Sequence, residues 1–375
     1  MRSIVYAYYI FLLLCIVIFS YGFKDPNLIL TTSPFLVSGI NQLTYVVYAL
    51  RPLATLIFLS ILLGFWSFYI VVCKNGEKLF TNIKHLTFFI ILSAFILSFS
   101  YPALTHDLFN YVTTAKVTFT HGENPYIVMP IEIPNEPYLA FTRAANKYAL
   151  YGPIWILITA IPHYLGNNNI WQTIIMFKLL NAIIYLVFVY MIYKITKSLK
   201  STLFFAFNPL ILIETLVSGH NDIYMMLFAC FGLVILKQYK FLGALSLLVS
   251  VLIKGATIVL IPLLFIINIS LERVFVYSYW LLALVFFIAA PIREELYPWY
   301  AVWLVCIVSF LPMKKYVWLY GFTIVLTFAL ELRHLPYMWM GYYEGPGPTL
   351  RFLLTIIPIA IYIVVFFVKR LGKRI

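Results

Sequence analysis

Charged residues are scarce in this chain: Asp, Glu, Lys and Arg together make up 10% of its 375 residues. Apolar residues make up 63% and recur in runs of roughly membrane-crossing length. What remains between these runs is too short for a soluble domain of ordinary size. The runs also lack the alternation of apolar and polar residues that marks barrel strands. The sequence therefore predicts an all-α, polytopic transmembrane protein in which residues 1–375 form a single integral-membrane domain.

Cysteine is also sparse, and none of the four cysteines belongs to a Cys-x-x-Cys pair. All four lie in apolar runs or at their ends, so we expect them to pack in the core rather than to bind metal or form disulfides. An internal repeat is lacking as well, whereas secondary transporters often show two related halves. This absence counts modestly against transport, but a polytopic lipid or ion transporter or flippase stays open as the alternative function.

The basic residues, which give a formal net charge of +13, lie mostly in short loops between the apolar runs. Lys and Arg in such loops mark the cytoplasmic side of a membrane, so the charge does not indicate nucleic acid. This rule predicts about 12 spans, both termini in the cytoplasm, and a prokaryotic cell membrane as the location. Residues 151–165 are predicted to form a short re-entrant or non-spanning helix, because counting them as a crossing would move basic loops outside.

The largest segment outside the apolar runs is residues 102–150, which we predict to be an extracytoplasmic catalytic loop. Its first half predicts an amphipathic helix, because apolar residues recur at helical spacing: Leu108, Tyr111, Val112 and Ala115. Its second half is rich in proline and predicts extended and turned chain. Asp107 stands at the start of this helix, where it can serve as an N-cap. It can equally act in chemistry, since an ionisable group at the edge of a span is a candidate functional residue.

A second polar cluster follows the apolar run that contains Glu214. Gly219 permits a tight turn, after which His220, Asn221 and Asp222 place polar atoms at the predicted membrane boundary. Polar groups at this density are costly in a span unless they line a wet cavity. The structural alternative is that Asp222 caps the next helix and Glu214 faces a polar neighbour.

Two cations and two aromatic residues are predicted on the same outer face. Lys254 can hold a lipid phosphate or can snorkel to the interface. Arg293 can pair with a phosphate or with the glutamates that follow it. Trp299 and Tyr300 can stack on a sugar or belong to an interfacial aromatic belt. Together with the carboxylates, these groups suit transfer from a lipid-linked phosphate donor to a hydroxyl, in which a carboxylate takes the proton and cations stabilise the leaving phosphate.

An ordered series of short motifs between about residues 100 and 300 resembles the GT-C superfamily of integral-membrane glycosyltransferases. Within it, the chain is most similar to the bacterial-type α-mannosyltransferases that depend on polyprenyl-phosphate mannose. The motifs are Asp107, Gly122-Glu123-Asn124-Pro125-Tyr126, Tyr151-Gly152-Pro153, Asn208-Pro209-Leu210, Gly219-His220-Asn221-Asp222, Lys254-Gly255-Ala256 and Trp299-Tyr300. Each motif is weak alone, and their order carries the resemblance.

The resemblance implies an inverting transfer of a sugar, expected to be mannose, from a polyprenyl- or dolichyl-phosphate donor to a hydroxyl of a glycan or glycolipid acceptor. Asp107 then becomes the general base, and the candidates for donor-phosphate binding are Lys254, His220 and Arg293. The candidates for sugar or acceptor binding are His106, Asn124, Tyr126, Tyr151, Asn221, Asp222, Trp299 and Tyr300. No cofactor is required, but a divalent metal shared by Asp107 and Asp222 stays open. The implied partners are the donor, the acceptor and membrane lipids.

Overall fold

The computed structural model describes residues 2–266, 269–293 and 295–371, apart from the side chains of Arg293 and Leu371. These residues contain no strand, which confirms the all-α fold class. The α-helices within them are α1 (Arg2–Ser20), α2 (Pro34–Ala49), α3 (Arg51–Leu79), α4 (Ile83–Ser98), α5 (Asp107–Phe119), α6 (Pro153–Leu165), α7 (Ile170–Thr196), α8 (Leu199–Ala206), α9 (Asp222–Ile235), α10 (Lys240–Ile253), α11 (Leu271–Leu284), α12 (Ala290–Arg293), α13 (Ala301–Val308), α14 (Val317–Glu331), α15 (His334–Met340) and α16 (Gly347–Leu371).

Five helical segments among the described residues are long and apolar enough to cross a membrane: Arg2–Phe23, Arg51–Leu79, Ile170–Thr196, Leu271–Ile292 and Gly347–Arg370. A sixth is possible if α8 and the π-helical segment Ile211–Ser218 are counted as one bent span. Several further apolar helices have 10–17 residues, fewer than the ~20 that a straight crossing needs. The protein is therefore a helical membrane protein, and the count of about 12 spans stays a prediction.

The apolar run around Glu214 forms two helical pieces that meet at an angle of 50°. The break lies at Asn208-Pro209, where proline lacks the N–H that would continue the helix. The buried Asn208 side chain accepts a hydrogen bond from the backbone N–H of Leu210 at 3.0 Å and so supports the start of the second piece. The Asn-Pro-Leu motif thus has a structural role here, which is to redirect the chain toward the Gly219 turn.

The helix predicted in the 102–150 loop is α5, and the four apolar residues that predicted it are all buried. The prediction of an amphipathic helix was incomplete, because the opposite side of α5 is covered as well. Lys116 on that side forms an ion pair with Glu136 at 2.8 Å, and its ammonium lies 4.4 Å from the ring centre of Tyr138. The Asn110 side chain accepts a hydrogen bond from the backbone of Ala144 at 3.1 Å. The second half of the loop therefore folds back over α5.

Helix α7 connects the parts of the fold that carry the candidate residues. It packs against α4, α6, α8, α9 and the π-helical segment, and also contacts α5. Helix α6, which covers the predicted short helix at 151–165, packs against α5, α7 and α10. These contacts bring the start of α5, the end of the π-helical segment and the start of α9 to the same end of the bundle.

Candidate active site

Asp107 is the first residue of α5, and its side chain is 25% exposed. His106 is the N-cap residue, and neither side chain makes a capping hydrogen bond. Instead, Oδ1 of Asp107 accepts a long hydrogen bond of 3.4 Å from the Asn110 side chain. The capping role considered for Asp107 is therefore wrong, and its carboxylate is available at the end of the bundle. The negative charge there is also favoured by the helix dipole of α5.

Side chains of α7 fix the turn that carries His220 through hydrogen bonds. Gly219 adopts φ +91°, a left-handed conformation that glycine adopts without steric cost, and it confirms the predicted tight turn. The fully buried Lys178 donates hydrogen bonds to Ser100 and to the carbonyl of Val217. Asn181 donates to the carbonyl of Thr215 at 2.9 Å. These bonds satisfy carbonyl groups at the end of the π-helical segment, which would otherwise be unpaired, and fix the turn in position.

His220 lies between two carboxylates. Its Nδ1 is 3.3 Å from Oδ2 of Asp107, and its Nε2 is 3.3 Å from Oε2 of Glu214. Neither contact is aligned well enough to count as a hydrogen bond. Burial alone would lower the pKa of His220, but the two carboxylates raise it to about 9. Burial would raise the pKa of Asp107, but His220 outweighs this effect and holds that pKa below its usual value.

Trp299 covers the imidazole of His220. The two rings are stacked with centroids 4.0 Å apart and planes 19° apart, and Tyr297 stacks on Trp299 at 4.4 Å. A protonated imidazole against an indole face is a favourable cation–π arrangement. This stack supports the positively charged form of His220 and excludes water from it. The structure thus brings together Trp299 and His220, which the sequence placed in separate motifs.

Asp222, Lys254 and Tyr300 form a second group in the same region. Both carboxylate oxygens of Asp222 lie 2.9 Å from the ammonium of Lys254, and Trp303 donates to Oδ1 at 2.6 Å. The Lys254 ammonium also lies 4.9 Å from the ring centre of Tyr300. Asp222 makes no N-cap hydrogen bond, so the capping alternative for this residue is also wrong. Tyr300 is adjacent to Trp299 and contacts its ring, which joins this group to the His220 stack.

The remaining predicted binding residues lie in different environments. His106 is exposed, while Tyr151 is buried with its ring packed on Tyr111 at 4.8 Å. Tyr126 donates a hydrogen bond to the carbonyl of Tyr151 at 2.8 Å, and Asn124 accepts one from the backbone of Tyr126 at 3.0 Å. The Asn-Pro-Tyr motif therefore ties the loop to the start of α6.

Asn221, which follows His220, and a cleft beside α5 are two further features of this region. Asn221 is completely buried, and neither atom of its side-chain amide has a hydrogen-bond partner among the described residues. A small cleft lies beside α5 and is lined among others by Asn110, Tyr151 and Lys147. Asn110 contacts Asp107, so this cleft begins one helical turn from the candidate base.

Arg293 is the predicted site residue whose side chain lies outside the described part of the structure. Three further charged or titratable residues, which no sequence motif indicated, pair with acids that the sequence did single out: Arg333, Arg351 and His334. Glu295 accepts hydrogen bonds from Arg333 at 3.1 Å and from Arg351 at 2.7 Å. Nε2 of His334 donates to Oε1 of Glu214 at 3.0 Å, which confirms that Glu214 faces a polar neighbour. No sequence motif pointed to His334, which begins α15 and reaches Glu214 only through the packing of distant parts of the chain.

This arrangement can perform acid–base chemistry. An ionised, partly exposed Asp107 can accept a proton, and the His220 cation stabilises the carboxylate form that the acceptance requires. Arginine and lysine side chains suit the recognition of phosphate, and aromatic rings suit the faces of sugars.

Comparison with known families shows a match over residues 14–270, to the MptA_B family, described as alpha-(1->6)-mannopyranosyltransferase, N-terminal domain. The match covers more than half of the chain and confirms the resemblance drawn from the motifs. It begins well before residue 100, so the first helices also carry the family pattern. No curated protein and no solved structure matches the chain.

Proposed function

The chain belongs to the MptA_B family of alpha-(1->6)-mannopyranosyltransferases, and we propose that it transfers mannose from a polyprenyl- or dolichyl-phosphate donor to a hydroxyl of a mannose-containing glycan or glycolipid. Family membership supports the glycosyltransferase class and the mannosyl group. The single observation that carries the rest of the proposal is the 3.3 Å contact between Asp107 and His220 at the exposed end of the bundle.

The proposed step is a direct displacement with Asp107 as general base. The acceptor hydroxyl gives its proton to the Asp107 carboxylate while its oxygen forms a bond to C1 of the mannose. The bond between C1 and the phosphate oxygen breaks on the opposite side, and the lipid phosphate leaves with the electron pair. A β-linked donor inverted in this way gives an α-linked product, which agrees with the product that the family description names.

Support for ionised Asp107 comes from its neighbour His220 and from its partial exposure. The His220 cation holds the pKa of Asp107 below its usual value, so the carboxylate is deprotonated at neutral pH. The 25% exposure of the side chain leaves a route for an acceptor hydroxyl. The cleft lined by Asn110 and Tyr151 is the proposed approach for the acceptor, because it opens next to this carboxylate.

Cations around the site are the proposed contacts for the donor phosphate. Lys254 keeps the role that the resemblance implies, and Arg293 stays a proposal on the same basis. His220 is 1% exposed with both ring nitrogens facing carboxylates, so in this proposal it acts through Asp107 rather than on the phosphate. The Lys254 side chain is 19% exposed, so its ammonium can reach a phosphate while Asp222 orients it. Arg333 and Arg351, which share Glu295, add guanidinium groups of the kind that bind phosphate through two parallel hydrogen bonds.

The proposed location is the extracytoplasmic face of a prokaryotic cell membrane. The basic loops predicted to be cytoplasmic alternate with the segments that carry Asp107, His220 and Trp299, which supports this orientation. Both termini are then cytoplasmic. The site lies where a membrane-embedded lipid donor can enter from the side and a hydrophilic acceptor from water.

The test uses the purified full-length protein in nanodiscs, with radiolabelled polyprenyl-phosphate mannose as donor and octyl α-mannoside as acceptor. We expect transfer, an α-linked product by NMR, and a loss of about 10²–10⁴-fold in turnover for Asp107→Asn, the range typical of a general base. Glu123→Gln is the matched control, since Glu123 is an exposed acid in the same loop. Turnover that is unchanged in Asp107→Asn would show that Asp107 is not the base. A retained β configuration would exclude inversion.

A further inference from the structure

Glu331 is a buried acid that the proposed transfer reaction does not use. It is the last residue of α14, its side chain is 0% exposed, and neither carboxylate oxygen has a hydrogen-bond partner among the described residues. A buried carboxylate without a partner is costly, because the desolvation of its charge is not compensated. The C-terminal end of a helix is also the negative end of its dipole, which makes the position still less favourable for an anion.

Two other ligand-type side chains surround Glu331. An oxygen of Glu331, an oxygen of Glu214 and a ring nitrogen of His334 all lie within 4.8 Å of one another. Glu214 is completely buried, and Oε1 of Glu214 is 3.0 Å from Nε2 of His334. The side chain of His334 is 12% exposed, so the cluster is close to the surface on one side. The structure thus places two carboxylates and an imidazole around one point.

The protein cations near this cluster do not pair with Glu331 in the described part of the chain. Arg333 lies between Glu331 and His334 in the sequence, but its guanidinium donates to Glu295 and Thr355. His220 faces Glu214 through Oε2 and makes no ion pair with Glu331 in the described part of the chain. Glu214 thus has His220 as a neighbour, whereas Glu331 has no counter-charge among the described residues.

We propose that Glu214, Glu331 and His334 bind one divalent transition-metal ion of the Zn²⁺ or Mn²⁺ kind. Carboxylate oxygens and imidazole nitrogens bind such ions at about 2.0–2.2 Å, so ligand atoms within 4.8 Å of one another need only small side-chain movements to reach a common ion. Glu331 ends α14 and His334 begins α15, so two of the proposed ligands come from the two helix ends that meet at this short turn. Water completes the coordination on the side of His334.

The proposed ion lies at the end of a chain of contacts that leads to Asp107. Glu214 would bind the ion and, through its other oxygen, face His220, which in turn contacts Asp107. A ligand fixed in this way orients its outer neighbour, as metal ligands generally do. The site rests on the geometry of these three side chains and does not depend on the proposed transfer reaction. It also differs from the pair considered in the sequence, because the Asp222 oxygens accept from Lys254 and Trp303.

The test measures metal content directly. Purified full-length protein in detergent is stripped with a chelator, reloaded with Zn²⁺ or Mn²⁺, freed of excess metal, and analysed by inductively coupled plasma mass spectrometry. We expect about one equivalent per chain in the wild type, released on exposure to the chelator. Glu331→Gln and His334→Gln should weaken binding by more than the about 10–100-fold caused by loss of an outer-shell partner. Glu272→Gln is the matched control, because Glu272 is a distant acid paired with Lys315.

A second readout applies if Glu331→Gln does not fold. Cobalt(II) is loaded in place of the native ion, and its visible absorption should change in His334→Gln but not in Glu272→Gln. Metal-free wild type after reloading, or equal metal content in all the variants, would overturn the site. So would an infrared band of a protonated carboxyl group that added metal does not remove, since the two carboxylates would then share a proton. Transfer activity does not enter this test, so its failure leaves the proposed function standing.

Discussion

Both carboxylate oxygens of Asp222 lie 2.9 Å from the ammonium of Lys254, and only 1% of the Asp222 side chain is exposed. The pair joins the first residue of α9 to the residue that follows α10. Trp303 donates to the same carboxylate, so every partner of Asp222 comes from a distant part of the chain. This pair is therefore a tertiary contact that holds the site together, whatever Lys254 does with a donor phosphate.

Removing the cation of this pair should destabilise the protein strongly. Lys254→Met leaves the Asp222 carboxylate buried without its counter-charge, which costs about 3–5 kcal/mol. The double variant Asp222→Asn with Lys254→Met removes both charges and should recover much of that loss. Thermal unfolding of the purified protein in detergent measures both effects.

The matched control for this prediction is Lys315→Met. Lys315 pairs with Glu272 at 2.6 Å, but its side chain is 65% exposed, and solvent screening leaves exposed pairs with little effect on stability. Similar unfolding temperatures for Lys254→Met and Lys315→Met would contradict the buried character of the Asp222 pair.

The pH profile of transfer should report the charge next to Asp107. Asp107 must be deprotonated to act as a base, so activity is lost as the pH falls through its pKa. Because that pKa is below the ordinary value of 3.8, the acid limb of kcat/KM should lie below pH 3.8. His220→Gln removes the neighbouring cation, burial then dominates, and the acid limb should move to higher pH. His121→Gln, a partly exposed histidine near Glu136, should leave the limb in place. An unmoved limb in His220→Gln would mean that another group titrates.

Loss of the Trp299 indole, which stacks on His220, should weaken catalysis moderately. Trp299 stacks on His220 at 4.0 Å, and such ring pairs contribute about 0.5–1.5 kcal/mol, which corresponds to about a 2- to 12-fold change in rate. We expect Trp299→Ala to lower kcat/KM by this factor and Trp299→Phe to restore part of it. Trp339→Ala, at a half-exposed tryptophan, is the control and should have no effect. Equal activity in Trp299→Ala and the wild type would show that the stack has no catalytic role.

The turn before His220 should tolerate only glycine. A Cβ on Gly219 would lie 3.0 Å from a Leu108 methyl group, and φ is +91°. Gly219→Ala should therefore cost about 1–3 kcal/mol of stability. Gly39→Ala is the opposite case, because Gly39 is in helix α2 with open space around it, and it should stabilise by up to about 1 kcal/mol. Thermal unfolding compares the two, and a neutral Gly219→Ala would contradict the strained turn.

Local sequence patterns were sufficient to predict the helical fold class, helix α5 and the turn at Gly219. Long apolar runs predict membrane helices, because a backbone in lipid must satisfy its hydrogen bonds within the helix. Helical spacing after Asp107 predicted α5, and glycine at 219 predicted the turn, since both are properties of neighbouring residues. The ordered motifs indicated the mannosyltransferase family, which the match over residues 14–270 confirms.

Local pattern was insufficient for the partners of the site residues. The sequence offered a capping role for Asp222, but a cap depends only on the adjacent helix, whereas Lys254 and Trp303 reach this carboxylate through the packing of other helices. Hydropathy likewise treats the apolar run around Asn208-Pro209 as continuous, so it did not predict the angle of 50° between the two helical pieces.

The sequence by itself determined that this is a helical membrane protein of a mannosyltransferase family, because hydropathy, charge and motif order are read along the chain. Only the tertiary structure decided that His220 lies between Asp107 and Glu214, and that Glu331 and His334 approach Glu214 from beyond the matched region. The physical reason is that a buried charge is defined by what surrounds it in space, and those neighbours are remote in sequence.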